Sequence, residues 1–236
     1  NTLADLDGLG SISYQWNRAG VAITDATSST YTLVQADVGS VITVTASYTD
    51  GQGTAESVTS TATPVVANVN DAPTGSVTIS GTPTQGEVLT AANDLADADG
   101  LGTIGYQWVR AGTSITGETS STYTLVQADV GSAISVTASY TDGQGTAESV
   151  TSSATSAVAN VNDAPTGSVT ISGTATQGET LTAANTLDDA DGLGSIGYQW
   201  KRAGVAITNA TSSTYELVQA DVGSAITVTA SYTDGQ

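Results

Sequence analysis

The sequence predicts an all-β fold of tandem sandwich domains, and three observations predict it. The first is composition. Val, Ile, Ala, Leu and Thr dominate a chain that is 39% hydrophobic and only 11% charged. That is strand composition, not that of a disordered polyelectrolyte. The second is an internal repeat. Leu-Gly-Ser-Ile-Ser-Tyr-Gln-Trp ends at Trp16, and near-copies end at Trp108 and Trp200, a constant period of 92 residues. The segment Ser-Ser-Thr-Tyr-Thr-Leu-Val-Gln-Ala-Asp-Val-Gly, ending at Gly39, returns at the same period with one change or none. Such a period is too long for a solenoid unit and suits a small self-contained domain. The third observation is strict alternation of apolar and polar residues in short segments between Gly, Asp and Asn turns, with no helical periodicity.

The complete repeat reads in order as follows. Ser76–Ser80 alternates and makes the first strand. Glu87–Ala91 is the second. Asp97–Gly102 is a turn-rich loop. Thr103–Arg110 is the third strand, with Ile104, Tyr106 and Trp108 on one face. Ala111-Gly112 opens a turn into a short strand near Ser114–Thr116. Thr122–Val126 follows, then a turn at Gln127–Gly131. Ala133–Tyr140 is a long strand with Ile134, Val136, Ala138 and Tyr140 on one face. Asp142–Gly145 is a hairpin turn, and Ala147–Val158 carries the last strand. About seven short strands in roughly 90 residues is the arithmetic of a sandwich.

The boundaries come from Val-Ala-Asn-Val-Asn-Asp-Ala-Pro-Thr, which occupies 66–74 and recurs unchanged at 158–166. Pro73 and Pro165 hold the preceding residue extended, so this is a short, stiff connector. Residues 1–69 are expected to be a partial repeat without its N-terminal strands. Residues 70–161 are expected to be a complete repeat, and 162–236 a partial one without its last strand. The chain opens inside a repeat, so it reads as a piece of a longer protein.

Charge and absent residue types narrow the function. The net charge is −19, with 4 Lys and Arg against 23 Asp and Glu. Phosphates repel such a surface, so no nucleic-acid partner is expected. Without Cys there is no disulfide or thiol chemistry. Without His the serine and cysteine protease triads are excluded, and a zinc site loses its favoured ligands. Oxygen-ligated cations remain. No run of about 18 apolar residues is present, so no membrane span is expected in this segment. Gly100-Leu-Gly-Thr-Ile-Gly105 fits a dinucleotide fingerprint, but a Tyr-Gln-Trp strand follows where a helix is required. Asn209-Ala-Thr211 fits a glycosylation acceptor, yet its equivalents are Asp25 and Gly117. Paired acids such as Asp97 and Asp99 recur in every repeat on a turn, which suits no single active site. The chain is not expected to be an enzyme. Arg18, Arg110 and Arg202, each two residues after a Trp, are expected to cover the sandwich surface or pair with an acid, and the Trp residues to be core.

The combination of Tyr-Gln-Trp-x-Arg, Tyr-Thr-Leu, Ala-Asp-Val-Gly and an alternating strand resembles a bacterial immunoglobulin-like repeat. Trp108 matches the core Trp of strand C, and Asp129 and Gly131 match the Asp-x-Gly before strand F. The immunoglobulin Cys pair is missing, so these would be immunoglobulin-like sandwiches without disulfides. The tandem array, the Asn-Val-Asn-Asp-Ala-Pro connectors and the acidity resemble the extender repeats of giant calcium-dependent adhesins of the RTX type. The connector also resembles the Asp-x-Asn-Asp-x linker of cadherins, with Asn in place of the first Asp.

In that topology the connector, the B–C loop and the F–G loop lie at the same end of a repeat. This would bring together Asn70, Asp71, Asp97, Asp99 and Asp142, and in the third repeat Asn162, Asp163, Asp189, Asp191 and Asp234. Ca²⁺ takes six to eight oxygens from several loops. The other end carries the A–B turn (Glu87, Glu179) and the E–F turn (Asp37, Asp129), which would face the next connector. For Glu87 and Asp129 that connector holds Asn160 and Asp163. An EF-hand is excluded, because the twelfth position from Asp97 is Trp108. Asp-x-Asp-Gly and Asp-Gly-Gln-Gly are also good turn sequences without any metal.

The resemblance implies a non-catalytic stalk: an end-to-end rod in which each repeat adds about 40 Å, from strands of about 10–12 residues. It implies a secreted, extracellular location on a bacterial surface. Its partners would be neighbouring repeats of the same chain, and other cells or surfaces reached through a distal domain. The competing expectation is that the repeats themselves bind glycans or pair with copies on another cell.

Overall fold

A computed structural model describes residues 2–235, and its regular structure is almost entirely antiparallel β. The first repeat contributes β1 (Ser13–Arg18), β2 (Val21–Ala22), β3 (Ile42–Thr49) and β4 (Ala55–Thr59). The middle repeat contributes β5 (Val77–Ser80), β6 (Val88–Asn93), β7 (Gly105–Arg110), β8 (Thr113–Ser114), β9 (Thr122–Thr124), β10 (Ile134–Thr141) and β11 (Ala147–Thr151). The third contributes β12 (Val169–Ser172), β13 (Thr180–Asn185), β14 (Gly197–Arg202), β15 (Val205–Ala206), β16 (Thr214–Glu216) and β17 (Ile226–Ser231). Single 3₁₀ turns at Gln35–Asp37, Gln127–Asp129 and Gln219–Asp221 are the only helical pieces among the described residues. Each expected strand of the middle repeat is present. The last is shorter than expected: regular β11 ends at Thr151, beyond which Ser152 and Thr155 keep single backbone bonds to Val136 and Ile134 and Val158 forms a parallel bridge to Val130.

The chain packs as two compact units. One runs to Val77 and takes in Asn93–Tyr106 and Thr137–Thr151; the other comprises Thr78–Ala92, Gln107–Val136 and the chain from Ser152 on. Each unit therefore holds one connector together with the loops on either side of it.

In the first unit one sheet has the order β2-β1-β3-β4. Trp16 pairs with Val44 and Tyr14 with Ala46 across β1 and β3. β10 pairs with β11 in the same unit, Tyr140 opposite Glu148. In the second unit the third repeat forms two three-stranded sheets, β12-β13-β16 and β15-β14-β17. Leu181 and Ala183 of β13 and Leu217 after β16 close on Trp200 of β14, with Val228 of β17 packed against them. Two sheets bury one apolar face each against the other, which is a sandwich. No disulfide is involved, since the chain has no Cys. The core closes instead on aliphatic side chains around Trp200, which is 0% exposed.

Local rules explain the turns. Ala111 and Gly112 both have positive φ, 46° and 83°. That is the two-residue hairpin geometry whose twist matches the flanking strands, and it joins β7 to β8 with Arg110 opposite Thr113. The glycine-rich loop is explained the same way. A Cβ on Gly102 would lie 2.0 Å from the carbonyl oxygen of Thr141, and one on Gly194 would lie 2.1 Å from that of Thr233. These glycines let the loops at 97–102 and 189–194 press against the end of β10 and the residues just after β17.

Each recurring Arg meets an acid. Arg110 Nε donates to Asp129 Oδ1 at 2.6 Å, and Tyr123 OH and the Val126 N–H donate to Asp129 Oδ2, both at 2.8 Å. Asp37 and Asp221 accept from Arg18 and Arg202 in the same way. Burial opposes ionisation of Asp37 and Asp221. The backbone N–H of Val34 or Val218, the Arg and the Tyr outweigh it and hold both carboxyls below their ordinary 3.8. Burial, then the neighbouring carboxylate of Asp129, pushes the Tyr123 hydroxyl up from 10.0 to about 12.

The sign of the pH dependence follows. A carboxyl with a lowered folded pKa contributes stability above its unfolded value and loses it as pH falls through the folded one. A tyrosine with a raised folded pKa contributes below 10.0 and loses it as pH rises towards about 12. The chain has neither His nor Cys to titrate between these limits. The urea midpoint is expected to be flat from about pH 5 to about pH 9 and to fall on both sides. A midpoint that climbs steadily through that plateau would contradict this charge arrangement.

Candidate functional site

The connector of the first unit starts at Val66, whose N–H and C=O bond Ser40 and Gly39 beside the first 3₁₀ turn. Asp71, on the same connector, donates its backbone N–H to Asp99 Oδ2 at 2.7 Å. Asp99 Oδ1 accepts from Gln35 Nε2 at 2.6 Å, and the same nitrogen lies 3.3 Å from Asn68 Oδ1. Asp99 is 4% exposed. A buried carboxylate is therefore held by a side chain from one repeat and a connector amide. Charge-assisted bonds of this kind are the strong ones.

The second unit repeats the arrangement 92 residues on. The Asp163 N–H donates to Asp191 Oδ2 at 2.6 Å, and Gln127 Nε2 to Asp191 Oδ1 at 3.1 Å. Asp191 is 2% exposed. Gln85 adds a clamp: its Nε2 donates to Asp163 Oδ2 at 2.9 Å, and its Oε1 accepts from the Val161 N–H.

The other expected ligands fall into place as follows. Asp97 Oδ1 accepts from the Asp99 N–H at 2.9 Å, and its Oδ2 from Tyr140 OH at 2.6 Å. Asp189 is held the same way by the Asp191 N–H and Tyr232 OH. Burial first, then Asp97, raises the Tyr140 hydroxyl pKa; Asp189 first, then burial, raises that of Tyr232 to about 12. Asp142 caps its own hairpin, with Oδ1 accepting from the Gln144 and Thr146 N–H groups. Burial opposes this, but those N–H groups hold its carboxyl below the ordinary value. Asn70 donates to Glu148 at 2.8 Å. Asn162, Asp163, Asp189 and Asp234 line one open cleft of about 410 Å³. Asn160 lies on the second connector with its Oδ1 buried.

Two expectations about the opposite end need correction. Glu87 is exposed, and Gln85, two residues earlier, is the side chain that reaches the connector. Asp129 is fully buried under Arg110 and Tyr123, and Gln127, two residues earlier, reaches the next repeat instead. An uncharged amide is long enough to span the joint, whereas the acid is consumed in its own turn. Gln35, Gln127, Gln85 and Asn68 are the residues that sequence reasoning missed. Their signal was invariance: Gln-Ala-Asp recurs at 35, 127 and 219, and Thr-Gln-Gly-Glu at 84 and 176.

Among the described residues no three acidic side chains gather closely enough to hold a metal by themselves. Gln127 Oε1 and Asn160 Oδ1 in the second unit, and separately Asp142 Oδ2 in the first, are buried oxygens with no hydrogen-bond donor. Two of the three lie on the second connector and on the turn that meets it. Amide and carboxylate oxygens together are calcium ligands, and a buried acceptor left unpaired is costly.

No protein-family model matches the sequence, and no curated protein matches it.

Proposed function

We propose that the chain is a non-catalytic extender segment of a large bacterial surface adhesin, made of immunoglobulin-like repeats whose joints are stiffened by calcium. The observation that carries this reading is the recurrence of one joint. Gln35, Asp99 and the Asp71 N–H meet as Gln127, Asp191 and the Asp163 N–H do, at the same 92-residue offset. A stalk needs every joint to be alike, because its reach is the sum of identical steps; a catalyst or a single-ligand receptor does not. The residues that would hold the ion at the second joint are Asp191, Asp163, Asn160 and Gln127, with Asp189 beside them. The first joint offers Asp99, Asp71, Asn68 and Gln35, with Asp97. Bound there, calcium would neutralise buried carboxylates in a chain of net charge −19 and tie connector to loop. Ligand binding to the folded state alone stabilises it.

Chelation tests this. In millimolar calcium the melting midpoint is expected to stand roughly 5–10 °C above that in chelator, from a linkage of about 2.7 kcal/mol at a hundredfold excess over Kd. The difference is expected to shrink in Asp191→Asn, which keeps the shape and removes the charge. An identical midpoint with and without chelator overturns the calcium assignment. Small-angle scattering tests the stalk separately, since a globular profile in calcium contradicts it.

A further inference from the structure

The glutamine at each joint meets a buried carboxylate with its nitrogen. Gln127 Nε2 donates to Asp191 Oδ1 at 3.1 Å, and Gln35 Nε2 to Asp99 Oδ1 at 2.6 Å. A carboxylate only accepts, so of the two amide ends only the nitrogen can bond it. The other end is then left over. Gln127 Oε1 is buried with no donor, and so is Asn160 Oδ1 on the connector of the same unit. Gln35 stands between two acceptors: its Nε2 also lies 3.3 Å from Asn68 Oδ1, the counterpart of Asn160 at the 92-residue offset. The amide hydrogens thus gather oxygens as a cation does, with far less charge.

The same side chain cannot serve a cation in that orientation. An N–H end repels positive charge, and an amide oxygen ligates it. Half a turn about the last side-chain bond, a soft torsion, exchanges the two ends and moves neither backbone nor side-chain volume. A buried acceptor without a donor is costly. Gln127 Oε1 and Asn160 Oδ1 carry that cost while the nitrogen faces Asp191, and a cation bound by them would remove it.

We propose that Gln35 and Gln127 are two-state ligands of the joints. Each clasps its carboxylate through Nε2 when no cation is bound, and each turns its amide over to offer Oε1 when calcium enters. This rests on the calcium reading above and adds to it the residue that sets selectivity. A cation at the second joint must first displace the hydrogen bond to Asp191. That exchange favours an ion that gathers six to eight oxygens, as Ca²⁺ does, over one that keeps most of its water, as Mg²⁺ does. The choice of amide over acid follows. Gln127→Glu would set two carboxylates face to face with no hydrogen between them, a repulsion whenever calcium is scarce.

Amide correlation spectra of the whole chain test this. Each Gln NH₂ gives its own pair of proton signals, assigned by their loss in Gln35→Glu and Gln127→Glu. In chelator the pairs of Gln35 and Gln127 are expected downfield, as protons bound to a carboxylate, and slow to exchange. In calcium they are expected to leave that position, and in the same concentration of magnesium to stay. Melting midpoints give a second readout. Gln127→Glu is expected to melt roughly 5 °C below the wild type in chelator, from the lost bond. Calcium is expected to raise its midpoint by more than the wild type's, because its carboxylate is a ligand without any turning. A wild-type midpoint indifferent to calcium overturns the calcium reading and this inference with it. A wild-type midpoint that rises in calcium while the Gln127 signals stay, or move equally in magnesium, overturns the turning amide alone. So does a Gln127→Glu chain as stable as the wild type in chelator.

Discussion

Trp200→Ala is expected to destabilise the third repeat by about 3–5 kcal/mol. The indole is 0% exposed and sits among Leu181, Ala183 and Leu217, which come from the facing sheet. Its ring stacks on Tyr215 at 5.6 Å between centroids. Its Nε1 donates to the Ser212 carbonyl at 2.9 Å. Alanine would leave a large cavity in a core too small to collapse around it, and would also strand that carbonyl. Urea unfolding followed by circular dichroism measures the loss. Trp16→Ala is the internal comparison. Trp16 makes the same bond to Ser28 and the same stack on Tyr31, but it is only half-buried, so its cost is expected to be clearly smaller. Equal losses at the two positions would contradict the placement of Trp200 at the centre of a two-sheet core.

Asp129→Ala is expected to cost about 3 kcal/mol, the penalty for removing one partner from a buried charged network. Asp129 is fully buried and accepts from Arg110, Tyr123 and the Val126 N–H at once. Alanine leaves a guanidinium, a phenol and a backbone donor without their acceptor, and frees the turn that carries Gln127. The loss is therefore expected to reach the joint: amide exchange at Asp163 should quicken in the variant as Gln127 loses its hold on Asp191. Asp221→Ala removes the same network from the third repeat, and a similar stability loss is expected there. Unfolding midpoints unchanged in both variants would show that the Arg–Asp–Tyr network is not what holds these turns.

The strands were legible because their signals are local. Alternation in Ala133–Tyr140 specifies which side chains go inward whatever the rest of the chain does, and Ile134, Val136, Ala138 and Tyr140 are all buried. The Ala-Gly turn and the Asp-rich hairpin carry their own backbone chemistry. The tail of the last strand was not legible. Ser152 to Ala157 contain the same small and β-branched residues as β11, so nothing local says that the regular ladder ends at Thr151 and gives way to the single bonds of Ser152, Thr155 and Val158. The joint was legible in half. The acids of the B–C loop stand out in the sequence by their charge, and Asp99 and Asp191 stand at the centre of the joint. The amides that meet them are marked only by recurrence at the 92-residue period, because Gln in a turn has no charge to single it out.

What the sequence determined by itself was the period, the all-β class, the succession of strands along a repeat and the absence of thiol or imidazole chemistry. Each of these follows from residue identity and spacing alone. What only the tertiary structure decided was the direction in which each polar side chain is spent. Asp129 and Asp99 are both buried acids in turns, yet one turns inward to an Arg of its own repeat and the other faces a Gln of the repeat before it. A carboxylate in a turn takes whichever donors the fold brings within hydrogen-bond reach. Those donors lie 19 and 64 residues away in the chain, beyond anything local pattern can report.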